Sequence, residues 1–386
     1  VPLANEPSAL PEVNESRLVE LFKALCQIDA PSLHEAECVA YVRSLLEREG
    51  LEVWEDSAGQ EIGGSANNLI AKLPGTMPGA PRIFLSAHFD TVEPTANLHI
   101  EEVDGVFRSG GNTILGADDK GGMAPAIEAV LTIKEQNLAH GDVYLLLSVA
   151  EEIGLQGAAA MKIEDLNLDF GFVLDTGPPV GSYVTRTANH DKLEITLVGK
   201  PAHAGKDPEH GINAIQIAAK AIEGMRLGRI GPETTANIGI IHGGTAVNVV
   251  CPSVTIRAEA RSTSVDELDA QVDHMIQRFE WAAREMGGVA EIKHKGHYVS
   301  YHVPEEAKVV RVAQAASRQL GLQPDLRVTL GGSDANIFNA KGLPSVVVGT
   351  GMREIHTHDE NISRSDLIQT AQLAVALILS SVHVND

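Results

Sequence analysis

Apolar positions Leu18, Val19, Leu21, Phe22 and Leu25 recur at three- and four-residue steps, the spacing of a helix with one buried face. A second helix is predicted to open with Ser32 and Glu35 as a capping box and to stop at Gly50. The pattern then shortens. Leu51 to Trp54, Asn68 to Leu73 and Arg82 to His88 are brief apolar runs that read as strands, with Pro- and Gly-rich turns between the last two. Met123 to Gln136 returns to helical spacing, and VYLLLSVAEEIG from Val143 is a buried strand whose apolar run ends abruptly in Glu151 and Glu152. Gly171 to Asp175 is another short strand closing on an acid. Strand, helix, strand in this rhythm predicts an α/β sheet with many parallel neighbours.

Between residues 176 and 190 the texture changes. TGPPVGSYVTRTANH is rich in turn formers, and Lys192 to Val198 alternates apolar and polar, as in a sheet wet on one face. Helices are predicted at Ile212 to Met225 and at Val265 to Met286, the latter with a Ser264–Glu267 capping box. Strands are predicted at Ala236 to Ile241, Val254 to Ala260 and Val289 to Lys293. The α/β texture then resumes with a helix opened by Pro304, a strand before Gly331, a strand at Ser345 to Val348 and a closing helix capped by Ser363. The expected architecture is a discontinuous α/β domain, residues 1–185 and 299–386, with a mostly parallel sheet flanked by helices. An α+β domain, residues 186–298, is inserted into it.

The formal net charge of -22 in 386 residues would repel phosphate backbones and anionic lipid, so nucleic acid and membrane surfaces are not expected partners. Cys26, Cys38 and Cys251 are too few and too scattered for a disulfide framework, which favours a reducing compartment. No apolar run reaches membrane-spanning length, and the start VPLANEPSALPE lacks the basic and apolar regions of a signal peptide. The expected setting is cytoplasmic.

Strand ends collect metal-ligand side chains: His88 and Asp90 in LSAHFDTVEP, Asp118 and Asp119 in LGADDKGG, Glu151 and Glu152, and Asp175 in FVLDTGPP. His356 in REIHTHDE follows the strand at Ser345 to Val348. Ligands gather outside the carboxyl ends of strands in open α/β sheets. Imidazole with carboxylate suits zinc, or manganese and cobalt in its place, and the absence of cysteine points to an open catalytic site. So many carboxylates would overcharge one divalent ion, so two ions sharing a bridge, most naturally Asp118, fit better. Adjacent strand-end residues point in different directions, so one of Glu151 and Glu152 can bind metal while the other handles the proton of the attacking water; spacing leaves open which. Asp90, on the same side of the strand as His88, can orient its imidazole.

The series HFDTVEP, GADDKGG, AEEIG, the LDTG acid, HAGKDPEHGINA and IHTHDE resembles the motif order of the M20 metallopeptidase family, and most of all its peptidase T-like branch, over nearly the whole chain. The resemblance implies metal ligands His88, Asp118 as bridge, Glu152, Asp175 and His356, with Glu151 as general base and Asp90 supporting His88. It implies that His203 in PAHAGKDP helps polarise the scissile carbonyl, and that Asn248 and Arg261 bind substrate. It also implies that the inserted domain is a lid and dimerisation domain, its hinges in the turns near residues 180–190 and 295–302, and that the protein forms a homodimer.

Plainer readings stand beside these. His358 is a solvated neighbour or a rival ligand to His356; His190, His210 and His242 are surface or packing residues; Lys120 pairs with a nearby carboxylate. GGSDAN is a tight turn with its cap at Ser333 or Asp334, or a substrate contact through its amides. The expected activity is dinuclear metal-dependent hydrolysis of an amide bond in short peptides, releasing the N-terminal residue of a tripeptide. An amidohydrolase or carboxypeptidase acting on N-acyl amino acids or dipeptides would use the same metals and base, and a binding protein that kept the fold but lost catalysis is the alternative of another class.

Overall fold

The structure is a computed structural model that describes residues 11–384; the opening VPLANEPSAL, on which part of the cytoplasmic expectation rests, lies outside the described residues. Two compact units divide the chain. The first runs to Thr185 and takes up His302–Val328 and the chain from Ser333 onward, and the second is Arg186–Tyr301 with Thr329–Gly332. The four-residue visit Thr329–Gly332 had no sequence signal. It is held by Thr329 N donating to the Arg186 carbonyl at 3.1 Å, and a Cβ at Gly332 would lie 2.3 Å from the Tyr298 ring.

The first unit is built on an eight-stranded sheet in the order Glu52–Glu55, Leu69–Leu73, Val143–Ser148, Ile83–His88, Phe170–Thr176, Ser345–Gly349, Ser182–Arg186 and Asp325–Val328. Its four central strands are parallel, and Leu69–Leu73 and Ser182–Arg186 join that centre antiparallel. Ile83–His88 and Val143–Ser148 are buried at every position, which is why they read as unbroken apolar runs. Helix Ala117–Glu135, buried from Ala117 to Ile133, packs on Ile83–His88 and Phe170–Thr176, with helices Glu15–Gln27 and Arg364–Ser381 against it. The approach is close: a Cβ at Gly122 would stand 1.8 Å from the Leu174 carbonyl oxygen. A small three-stranded sheet, Ile100–Val103, Val106–Ser109 and Asn361–Ser363, escaped the sequence reading because its strands are only three or four residues long.

The second unit is a five-stranded antiparallel sheet in the order Gly228–Gly231, Thr234–Gly243, Ser253–Ser262, Asn189–Val198 and Val289–Tyr298. Leu193, Ile195 and Leu197 point into a core shared with Phe279 and Met275 of helix Val265–Glu285 and Ile217 of helix Ala214–Glu223, while Lys192 and Glu194 on either side of Leu193 are exposed.

Side-chain caps form at Ser264, Ser333 and Ser363, where Glu267 N, Ala335 N and Asp366 N donate to the hydroxyls, and Asn336 completes a capping box with Ser333. Three helix starts differ from expectation, the helix expected from Met123 beginning already at Ala117. Pro304 opens a turn closed by Ala307 N, and the helix proper is Lys308–Gln319. Ser32 and Glu35 form no capping box: the helix is Ala36–Arg48, and both side chains are engaged by residues far away in sequence. Among the described residues no helix is long and apolar enough to cross a membrane.

At the sheet centre Phe84 pairs in register with Gly171 and meets Phe338 edge-on, the ring centroids 5.0 Å apart. A Cβ at Gly171 would stand 2.1 Å from the Phe84 ring. Gly171→Ala should therefore destabilise the first unit by about 1–3 kcal/mol through overpacking, read as a lowered thermal unfolding midpoint; an unchanged midpoint would show that Phe84 moves aside without cost.

Candidate metal centre

Parallel neighbours deliver their carboxyl ends to one edge, and the acids and imidazoles sit there. His88 closes strand Ile83–His88, Asp175 is the penultimate residue of Phe170–Thr176, and Glu151 and Glu152 follow Val143–Ser148. Asp118 lies in the irregular first turn of helix Ala117–Glu135, and His356 lies in the loop after Ser345–Gly349.

His88 Nδ1 is 2.8 Å from the main-chain oxygen of Asp90. A carbonyl can only accept, so that nitrogen carries the hydrogen and Nε2 faces the acids. It lies 3.2 Å from Asp118 Oδ1 and 3.8 Å from Asp175 Oδ1. His356 Nε2 lies 3.1 Å from the other Asp118 oxygen and 3.0 Å from Glu152 Oε1. Asp118 thus offers one oxygen to each imidazole. Potential ligand atoms of His88, Asp118 and Glu152 lie within 4.8 Å of one another, as do those of His88, Asp119 and Asp175. His358 is exposed, and it is His356 that reaches the acids.

The electrostatics show how much negative charge is gathered here. Burial works against a charged His88, yet Asp118 and Asp90 outweigh it and hold the imidazole pKa well above its usual value. The hydrogen bonds to Asp118 and Glu152 push His356 up to about 10. Burial would raise Asp118, but His356 and His88 pull it below the ordinary carboxylate range. For Glu151, Asp175 and Asp119, burial together with the acids around them outweighs the pull of His88 and drives all three well above it. Asp119 Oδ1 is buried with no hydrogen-bond partner, whereas its Oδ2 accepts from His88 N at 3.2 Å. Two imidazoles and several carboxylates with no thiolate form a donor set that fits divalent cations of the zinc, manganese and cobalt type.

Behind the candidate ligands stands a set of carboxylates that bind main-chain amides. Asp90 Oδ1 accepts from Glu151 N at 2.9 Å, and its Oδ2 accepts from Glu152 N at 3.1 Å and from the Ser32 hydroxyl at 2.6 Å. The Asp90 carboxylate therefore serves the glutamate pair, and its carbonyl serves His88; Oδ1 is a longer 3.5 Å from Nδ1. Glu360 accepts from Gly116 N at 2.6 Å and Asp118 N at 2.9 Å, and its pKa is pushed up to about 7, mainly by burial. Asp334, pushed up to about 6 by burial, accepts from the Ser148 hydroxyl. Lys120 donates to the Phe89 carbonyl, so the expected pairing with a carboxylate is not made. Sequence reasoning missed Glu360 because its two histidine neighbours drew the metal reading, and it missed Glu35 because the Ser-x-x-Glu spacing resembles a helix cap.

His203, Asn248 and Arg261 all belong to the second unit. His203 and Asn248 are exposed on adjoining segments: His203 pairs with Val249, and Ala204 N donates to the Asn248 carbonyl at 2.9 Å. Arg261 is already engaged. Its Nε and Nη2 donate to the two oxygens of Glu259 at 3.1 and 3.0 Å, and Nη1 donates to the Leu330 carbonyl at 3.1 Å. Glu259, with the buried His190 2.9 Å away and Arg261 beside it, is lowered to about 2. His190 is thus a packing residue, whereas His210 and His242 are exposed.

The family model for peptidase family M20/M25/M40 matches residues 84–380. An aminopeptidase PepT from Bacillus cereus has 42% sequence identity and a TM-score of 0.86, the likeness covering 96% of this chain and 100% of that one. A tripeptidase from Staphylococcus aureus has 38% identity and a TM-score of 0.91 over the same shares of the two chains. The uncharacterized protein YqjE of Bacillus subtilis is 40% identical over 366 residues, 95% of this chain and 98% of that protein. The chain belongs to peptidase family M20/M25/M40, in its peptidase T-like branch, and is a metallopeptidase.

Proposed function

We propose that this metallopeptidase is dinuclear and removes the N-terminal residue of short peptides, tripeptides in particular. The observation that carries the reading is Asp118, whose two oxygens face the Nε2 atoms of His88 and His356. His88, Asp118 and Asp175 would hold one divalent ion, and Asp118, Glu152 and His356 the other, with zinc as the expected metal and cobalt or manganese as substitutes. Such a pair of ions supplies Lewis acidity to the carbonyl and lowers the pKa of water at the site.

The remaining steps belong to the chain. Glu151, buried beside the ligands, takes the proton of the attacking water and delivers it to the leaving amine. Asp90 holds the main chain of Glu151 and Glu152 so that one faces substrate and the other metal. His203 stabilises the oxygen of the scissile carbonyl as negative charge develops there. Arg261 and Asn248 bind the peptide, the guanidinium taking a carboxylate through its planar fork. The second unit is the lid and the dimerisation element of a homodimer. The tripeptidase and aminopeptidase PepT relatives support the substrate class, and the free thiols Cys26, Cys38 and Cys251 support a reducing, cytoplasmic setting.

Glu151→Gln should lower kcat about 10²–10⁴-fold while metal content per chain, measured by elemental analysis, stays unchanged. Asp118→Ala should lose metal from both positions; full occupancy in that variant would refute the bridge. With zinc, cobalt or manganese restored, tripeptides with a free N-terminus should be cleaved faster than blocked tripeptides, dipeptides and N-acyl amino acids. Cleavage confined to blocked substrates would make the protein an amidohydrolase.

A further inference from the structure

We propose that Ser32 and Glu35 are positioning residues for Glu151, acting on both sides of the turn that presents it; the inference rests on the general-base reading of Glu151. That turn is irregular. Ala150 has a left-handed backbone, φ 53°, and the Glu151 carbonyl accepts from Gly154 N at 2.8 Å and Leu155 N at 2.7 Å. No sheet pairing fixes Ala150 to Glu152, which lie beyond the end of strand Val143–Ser148. Their amides are held by side chains instead. Glu35, fully buried, accepts from Ala150 N at 2.9 Å, 115 residues away, and from Leu33 N at 2.9 Å through the same oxygen. Ser32 donates to Asp90 Oδ2, the oxygen that accepts from Glu152 N, while Asp90 Oδ1 accepts from Glu151 N.

Three successive amides, those of Ala150, Glu151 and Glu152, therefore end on two carboxylates, one fixed by Ser32 and the other belonging to the same short segment. That segment is itself tied to the site strand: Thr91 N donates to the Ala30 carbonyl at 3.1 Å, and the Thr95 hydroxyl donates to Asp29 at 2.6 Å. The second Glu35 oxygen, Oε2, is buried with no hydrogen-bond partner. A carboxylate placed there for stability alone would be an expensive choice, because an unpaired buried polar atom costs its desolvation. What Glu35 provides is an acceptor at the one amide that sets the direction in which Glu151 leaves the strand. It touches no reacting atom. Misplacing a catalytic group by about 1 Å costs on the order of 10² in rate.

The test compares Glu35→Ala, Glu35→Gln and Ser32→Ala with Glu151→Gln in the metal-loaded enzyme on a tripeptide. Glu35→Ala should lower kcat about 10–100-fold with KM and metal content within about threefold of wild type. Glu35→Gln keeps an acceptor oxygen in the same place and should restore kcat to within about threefold. Wild-type kcat in a folded Glu35→Ala, or equal losses in the Ala and Gln variants, would overturn the proposal. Should Glu35→Ala not fold, Ser32→Ala carries the test: it removes one hydroxyl, and a smaller loss in kcat alone supports the proposal, whereas wild-type kcat overturns it. Activity in Glu151→Gln would sink the general-base reading itself, whereas an inactive Glu151→Gln beside a fully active Glu35→Ala sinks only the positioning role.

Discussion

Concentrated buried negative charge is the constraint on which the first unit depends. Asp90, Asp118, Asp119, Glu151, Asp334, Glu35 and Glu360 are all buried around one sheet edge, with Lys120 the buried lysine among them. Several buried carboxylates with few cations are strongly disfavoured unless each finds a partner. The structure divides the work. Asp118, Glu152 and Asp175 turn toward imidazoles, while Asp90, Glu35 and Glu360 take up main-chain amides, Asp90 with its Oδ1 also 3.5 Å from the His88 ring. The same chemical group is thereby a candidate ligand in one layer and scaffold in the next, and what distinguishes the two is whether an N–H or a ring nitrogen stands opposite.

The apolar pattern made the central sheet legible, because strands buried on both faces stand out as short unbroken apolar runs, as in Val143–Ser148. The antiparallel unit was legible for the opposite reason: Leu193, Ile195 and Leu197 alternate with exposed polar residues. The hairpin Ile100–Val103 and Val106–Ser109 was not, since four-residue strands with Phe107 as their one fully buried side chain carry almost no periodicity. Nor was the return of Thr329–Gly332 to the second unit, which rests on the Thr329 amide, on Arg261 donating to the Leu330 carbonyl and on the absence of a side chain beneath Tyr298.

At the site, residue type was informative and partner was not. His88, Asp118, Glu152, Asp175 and His356 could be picked out because imidazoles and acids at strand ends are chemically conspicuous, and the structure brings them together. The spacing of Ser32 and Glu35 suggested a local helix cap, the short-range use of those side chains. Their partners are Asp90 and Ala150, which pattern along the chain cannot reveal. Asp90 shows the same limit in miniature: alternation put it on the side of His88, yet its side chain is spent on the amides of the turn after strand Val143–Ser148 and its carbonyl orients the ring.

The pairing of Arg261 with Glu259 bears on the selectivity that the proposed substrate-binding role would give it. The guanidinium meets both oxygens of an internal carboxylate, and Glu259 is held ionised by Arg261 and the neighbouring His190. Any incoming anion must therefore exchange with a resident one, and its binding is worth only the difference between two ion pairs. A stray chloride or a monodentate anion gains nothing from the swap. A ligand that brings its own fork and is anchored elsewhere could win it, so in the proposed substrate-binding role Arg261 would act less as a magnet than as a comparator.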